Sequence, residues 1–235
     1  MNLFYCPDIE LSPILSESES LHCCRVLRMK EGDIIEVADG KGYRYMCRIV
    51  SANPKKTQVE IVSRYELARH HNYNVTLAIA PTKNIDRTEW AIEKAIEIGV
   101  DRIVLLKCAH SERKDVKTDR LMKVMVAALK QSLSPVMPEL SELISIKDFI
   151  RNAPTGQKFI AYCGEKDEKL LMSKLVSPGQ NVTVMIGPEG DFSPDEVEMA
   201  IEHGFRPVSL GESRLRTETA AIFAMAAIET INQRN

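Results

Sequence analysis

Val184-Met185-Ile186-Gly187-Pro188-Glu189-Gly190-Asp191-Phe192-Ser193-Pro194-Asp195-Glu196 is the stretch on which the fold turns. It continues an apolar, β-branched run from Val182, the pattern of a strand buried on both faces of a parallel sheet. The run stops at Gly187, and a loop flanked by Gly187 and Gly190 follows. A helix then opens with a full set of start signals. Ser193 suits the N-cap, Pro194 the first helical position and Glu196 the reciprocal place in a capping box. In open α/β sheets, ligands lie outside the carboxyl ends of the strands. Gly187 and Gly190 would let the backbone approach such a ligand closely. The plainer alternative is a strand-to-helix turn with no chemistry.

The same pattern recurs in Val208-Ser209-Leu210-Gly211-Glu212-Ser213-Arg214-Leu215-Arg216-Thr217-Glu218-Thr219-Ala220. A second strand ends in glycine, and a loop feeds a long helix over Thr217–Ile231. Arg214 and Arg216 stand where the helix dipole disfavours cations, so a binding role accounts for them better than surface charge.

Working outward, the chain from Val75 alternates strand and helix. Strands are expected at Val75–Ala80, Ile103–Leu106, Phe159–Cys163, Val182–Ile186 and Pro207–Leu210. Helices are expected at Thr88–Ile98, Arg120–Leu133, Ile146–Asn152, Leu170–Leu175, Ser193–His203 and Thr217–Ile231. Such alternation predicts a parallel α/β sheet covered on both faces. Residues 66–74 are polar and aperiodic and read as a linker. Before them, Asp39-Gly40 separates two strand-like runs, a hairpin signal, and Gln58–Val62 alternates as another strand. Short strands parted by turns suggest a small β-barrel. A helix over Glu19–Met29 would place Arg25 and Arg28 one turn apart on a shared face. The chain thus divides into a domain over 1–70 and another over 75–235.

Composition narrows the function classes. The 235 residues are 44% hydrophobic and 27% charged, which fits a globular protein. No apolar run approaches the length of a membrane span, and Met1–Glu10 lacks a signal-peptide pattern, so a cytoplasmic location is expected. The six cysteines form no C-x-x-C pair and no zinc spacing, so reduced thiols and no metal are expected. Net charge is only -2, but it is unevenly spread. Residues 1–20 carry four acids and no base, whereas residues 21–64 carry nine bases against five acids. A local basic surface on a near-neutral chain suits selective RNA binding; a solvated charged face is the alternative. No G-x-G-x-x-G, Walker loop or G-x-S-x-G elbow is present, which argues against dinucleotide, nucleoside-triphosphate and serine-hydrolase sites.

Together, Ile186-Gly187-Pro188-Glu189-Gly190, Leu210-Gly211 and Leu215-Arg216-Thr217-Glu218-Thr219-Ala220 resemble the RsmE family of 16S ribosomal RNA uridine-N3 methyltransferases, of the SPOUT class. The likeness extends over nearly the whole chain. His22 to Gly32, with Arg25-Val26-Leu27-Arg28, resembles its PUA-like RNA-binding domain. Glu93-Lys94-Ala95 to Gly99 resembles its first catalytic helix, and Ser111-Glu112-Arg113 and Lys130-Gln131-Ser132 match further blocks. The chain departs from the pattern at Asp191, where a second glycine is common, and at Leu133-Ser134.

The resemblance implies a PUA-like β-barrel followed by a SPOUT-type parallel sheet with a C-terminal trefoil knot. It further implies a homodimer, S-adenosyl-L-methionine as cofactor, and 16S rRNA in the small ribosomal subunit as substrate. The cofactor is expected against Ile186, Gly187, Pro188, Glu189, Gly190, Leu210, Gly211, Leu215 and Thr217, with the Tyr162–Glu165 strand end as a further wall. Uridine N3 carries a proton and lies on the pairing edge, so the base must be unpaired or flipped out, and its anion stabilised. Arg216 is expected to stabilise that anion, and Glu189 or Glu218 to take the proton. Arg25, Arg28, Lys41 and Arg44 are expected to hold RNA phosphates. The competing readings are a non-catalytic RNA-binding assembly factor on the same fold and a nucleotide-dependent enzyme.

Overall fold

A computed structural model describes residues 3–69, 71–164 and 169–233. The chain divides into two units, Met1–His70 with Leu129–Met137, and His71–Ala128 with Pro138–Asn235.

The first unit is built on β1 (Leu3–Tyr5), β2 (Ile34–Ala38), β3 (Tyr43–Ser51) and β4 (Gln58–Glu66), in that order across one sheet. β1 pairs parallel to β2, and the remaining pairs are antiparallel. The β2–β3 hairpin turns at Asp39-Gly40-Lys41-Gly42. Gly40 and Gly42 are left-handed there, at φ 71° and 105°, which a side chain would oppose. After β1 the chain crosses to the other edge of the sheet. The Leu15 amide donates to the Thr57 carbonyl, and the Val59 amide to the Pro13 carbonyl. These bonds curl the sheet around a core that includes Phe4, Ile9, Leu15, Val37, Cys47 and Ile49.

The helical segment differs from the sequence expectation. α1 (Glu17–Leu21), capped by the Ser16 hydroxyl, passes into a wider turn over His22–Val26. The Met29 amide then folds back onto the Cys23 carbonyl. Arg28 lies inside that closure in the left-handed region, at φ 55°, as chain reversals after helices require. Arg25 and Arg28 are both exposed, but they do not share one helical face.

Arg44 departs further. It is only 5% exposed. Its guanidinium lies 3.2 Å from Glu36 Oε1 and donates to the Leu133 carbonyl at 2.7 Å. Tyr65 Oη donates to the same Glu36 oxygen. β3 alternates, and Tyr45, Cys47 and Ile49 take its core face. Arg44 lies on the opposite face and is buried there because the Leu129–Met137 segment covers it, which counting basic residues could not reveal. It is therefore withdrawn from the set that phosphates could touch.

In the second unit, β5 (Val75–Ile79), β6 (Arg102–Lys107), β7 (Glu139–Ser145), β8 (Gln157–Ala161), β9 (Leu170–Leu171), β10 (Val182–Ile186) and β11 (Arg206–Ser209) form one sheet. Every pair is parallel, in the order β7-β6-β5-β10-β8-β11-β9. The helices are α2 (Ile85–Ile98), α3 (Thr118–Ser132, whose residues from Leu129 on belong to the first unit), α4 (Ile146–Arg151), α5 (Pro194–Glu202) and α6 (Thr217–Asn232). α4 and α5 cover one face, where Ala78, Val104, Ile160 and Met185 meet Phe149, Val197 and Ala200. The alternate residues Leu77, Ile79, Val184 and Ile186 are equally buried. They point the other way, toward α6, which packs on β5, β10 and α2. Central strands buried on both faces explain the unbroken apolar runs that marked them.

Two elements were misread. Leu170–Leu175 is not a helix: Leu170–Leu171 form a short edge strand and Met172–Lys174 a tight turn. A strand of two residues has no periodicity to read. β7 went unassigned because it is an edge strand with no fully buried residue.

The buried Arg44–Glu36 pair makes a stability test. Removing one partner strands the other charge, so Arg44→Ala is expected to cost about 3–5 kcal/mol. The urea midpoint should fall accordingly, and an unchanged midpoint would refute the assignment.

Candidate active site

The candidate site lies at the carboxyl ends of β10, β8 and β5, the middle of the parallel sheet. β10 follows β8 in sequence yet sits between β5 and β8, so the loop it feeds has strand ends on both sides. The Ala80 amide donates to the Ile186 carbonyl, fixing where that loop departs.

The β10 loop is anchored at each end. Ser193 and Glu196 form the expected capping box on α5. The other carboxylate oxygen of Glu196 accepts from the Ala109 amide at 2.7 Å, so one buried acid caps a helix and holds the β6 loop. His110 continues that contact, its Nδ1 lying 3.0 and 3.1 Å from the carbonyls of Gly190 and Asp191. On the β5 side, Glu189 accepts from the Lys83 amide at 2.9 Å. Arg113 donates to the Thr82 and Lys83 carbonyls, and Lys83 Nζ pairs with Glu112 at 2.7 Å. The resemblance had marked Ser111-Glu112-Arg113 without a role; the structure shows the segment bracing the loop after β5.

The β10 and β11 loops meet through Thr217, whose hydroxyl donates to the Gly187 carbonyl at 3.2 Å. Gly187 and Pro188 are buried, whereas Glu189 and Gly190 face solvent. Leu210 and Leu215 are half-buried and Gly211 is exposed, at φ 130°. Among the described residues, the loop from Glu212 to Leu215 makes no hydrogen bond, and neither the Glu189 nor the Gly190 amide donates one. Backbone groups left open along two adjoining glycine loops fit a ligand held by main-chain contacts. A Cβ on Gly187 would stand 3.1 Å from Phe192, and one on Gly190 3.0 Å from His110. A side chain at either position would require its neighbour to shift.

The charged candidates are distributed unevenly. Arg216 is the exposed N-cap residue of α6, and neither its guanidinium nor that of Arg214 has a partner among the described residues. Glu218 is 7% exposed. Its Oε1 lies 3.8 Å from Arg87 Nε, and its Oε2 is buried without a hydrogen bond among the described residues. Glu189 is exposed on the β10 loop.

The β8 end forms the remaining wall; of the expected Tyr162–Glu165 segment, Glu165 lies outside the described residues. Asp191 ties this wall to the β10 loop. Its carboxylate accepts from the Cys163 amide and the Phe192 amide, both at 2.8 Å. Asp191 is left-handed, at φ 63°, which costs an L-residue about 1–2 kcal/mol. Hydrogen bonds to a charged acceptor contribute about 1.5–3 kcal/mol each, enough to outweigh that strain. Lys169 donates to the Tyr162 and Gly164 carbonyls and sits 3.8 Å over the Tyr162 ring. Burial holds its amine below the usual lysine range, opposed by the Asp191 charge. Sequence reasoning missed Asp191, His110 and Lys169 as site residues: the first two act through partners far along the chain, and Lys169 folds back onto carbonyls of its own loop, which leaves no pattern of residue types.

Of the expected RNA contacts, Arg25 and Arg28 are exposed. Lys41 is exposed too, but its amine donates to the Pro7 carbonyl at 2.6 Å and pairs with Asp8 at 3.3 Å. Among the described residues no group of three or more His, Cys, Asp or Glu could hold a metal. None of their helices is long and apolar enough to cross a membrane.

The paired glycine loops at the ends of β10 and β11, which flank β8 in the parallel sheet, are the arrangement of an α/β protein that binds a ligand at the carboxyl edge of its sheet. The chain belongs to the RNA methyltransferase family: the model described as RNA methyltransferase domain matches residues 69–229, and that described as RNA methyltransferase PUA domain matches 15–62. Ribosomal RNA small subunit methyltransferase E of Buchnera aphidicola is 27% identical, over 95% of this chain and 90% of its own. Among solved structures, a "probable rRNA-methyltransferase" from Porphyromonas gingivalis is 42% identical with a TM-score of 0.93, covering 100% of this chain and 99% of its own. A methyltransferase from Legionella pneumophila, solved with bound SAM, is 29% identical with a TM-score of 0.87 and covers 98% and 97%.

Gly190→Val is expected to abolish S-adenosylmethionine binding, because its side chain would displace His110 and distort the loop. Calorimetry returning unchanged affinity from a folded variant would contradict this.

Proposed function

We propose that this protein transfers a methyl group from S-adenosyl-L-methionine to N3 of a uridine in 16S rRNA of the small ribosomal subunit. One observation carries the reading: the two glycine loops after β10 and β11 are joined by the Thr217–Gly187 bond and present open backbone groups at the sheet's carboxyl edge. The cofactor, when bound, supplies an electrophilic methyl on a sulfonium. Ile186, Gly187, Pro188, Glu189, Gly190, Leu210, Gly211, Leu215 and Thr217 would hold it. Holding donor and acceptor in line is the largest service the loops can provide.

The uridine must lose its N3 proton. Arg216, exposed and without a partner among the described residues, stabilises the resulting anion. Glu189 is the better placed of the two acids to take the proton, since it faces solvent on the loop, whereas Glu218 lies buried beside Arg87. Arg25 and Arg28 hold RNA phosphates, and Lys41 does so once released from Asp8. The domains over 1–70 and 75–235 divide these tasks into RNA grip and chemistry. β10 seated between the earlier strands β5 and β8 supports a trefoil-knotted chain. Exposed Trp90 and Phe223 offer apolar surface for pairing two copies into a homodimer. A ribosomal substrate places the protein in the cytoplasm.

Thermal melting tests the cofactor. S-adenosylmethionine is expected to raise the melting temperature, and NAD and ATP are not. No shift at saturating S-adenosylmethionine would contradict the reading. Arg216→Ala is expected to lower kcat by about 10²–10³-fold with S-adenosylmethionine affinity retained; equal loss in both would make it a binding residue. Arg28→Ala should weaken RNA binding and reduce its salt slope by about one, while cofactor affinity stays unchanged. An unaltered salt slope would remove Arg28 from the RNA interface.

A further inference from the structure

Asp191 occupies a backbone conformation that favours glycine, yet it carries a side chain with two amide partners. One of them, Phe192, is its own neighbour and needs no carboxylate to stay in place. The other, Cys163, lies 28 residues earlier in the chain. It sits just past the end of β8, the strand paired with β10. That long-range bond is what glycine could not supply. The Asp191 amide also donates to the Pro188 carbonyl at 2.9 Å, closing the turn that exposes Glu189 and Gly190. His110 holds the Asp191 carbonyl from the β6 side. On the β8 side, Lys169 grips the Tyr162 and Gly164 carbonyls, which flank Cys163. Asp191 is thus the one residue of the β10 loop whose side chain hydrogen-bonds to the β8 wall, among the described residues.

We propose that Asp191 is a positioning residue for the cofactor: its carboxylate sets the spacing between the Gly187–Gly190 loop and the Tyr162–Gly164 strand end, and so tunes affinity for S-adenosylmethionine. The inference rests on the cofactor reading given above. It does not make Asp191 a proton acceptor, since its oxygens are occupied by the two amides. Its effect falls on binding rather than on the methyl-transfer step.

The strain and the bond act in opposite directions, and this separates positioning from simple structural support. Asp191→Gly removes both the left-handed penalty and the carboxylate. Asp191→Asn keeps a residue that tolerates the left-handed region and an amide oxygen that can accept from Cys163. The experiment is calorimetric titration of S-adenosylmethionine into the unaltered protein and both variants, with melting of the ligand-free proteins alongside. For Asp191→Gly, Kd is expected to rise about tenfold, the worth of one hydrogen bond to a charged acceptor. Its ligand-free melting temperature should fall, since the lost hydrogen bonds outweigh the relieved strain. kcat at saturating cofactor should stay near that of the unaltered protein while KM for the cofactor rises. Asp191→Asn should recover most of the affinity. If Asp191→Gly binds as the unaltered protein does, the inference is overturned by itself. Lowered melting with unchanged Kd would also overturn it, since the bond would then be structural only. No binding by the unaltered protein would overturn the cofactor reading, and this inference with it.

Discussion

The seating of β10 governs the rest of the second unit. Its five residues are all buried and hydrogen-bonded to β5 on one side and β8 on the other. Because parallel strands point their carboxyl ends the same way, the loop after β10 emerges between the ends of β5 and β8. Each neighbour then reaches it: Lys83 from the β5 side, Cys163 from the β8 side, and His110 and Ala109 from β6 beyond. A loop held from three directions, by the carboxylates of Glu189 and Asp191 and the imidazole of His110, keeps its backbone amides aimed and is preorganised before any ligand arrives.

Charge is used in two ways in this molecule. Some ions are committed to architecture, among them Arg44 with Glu36, Lys130 with Glu19 at 2.8 Å, and Arg113 on the β5 loop carbonyls. Others, chiefly Arg25, Arg28, Arg214 and Arg216, remain exposed. Only the second group can meet a polyanion. The net charge of -2 conceals this division, which explains how a near-neutral chain can still present basic surface to RNA.

Much of the α/β unit was legible in its sequence. Central strands read clearly because burial on both faces forces continuous apolar runs, and α5 read clearly because its caps are chemical signals within four residues. The edge strands β7 and β9 did not, since partial burial leaves no pattern. The motif loops were visible as glycine and proline punctuation, but their bracing was not. His110 and Asp191 act across separations that periodicity cannot span. The reading of Arg44 as a phosphate contact failed for the same reason: its partner Leu133 lies 89 residues away. Asp191 looked like a departure from a glycine position, and its left-handed backbone shows why glycine would fit there.

The account stands or falls on where a methyl group goes. The most direct measurement incubates the protein with methyl-labelled S-adenosylmethionine and small ribosomal subunits lacking the modification, then maps label in the digested RNA by mass spectrometry. Label on N3 of a single 16S uridine is the predicted result. Label on another atom or base, or no label in RNA from a protein that binds the cofactor, would contradict it.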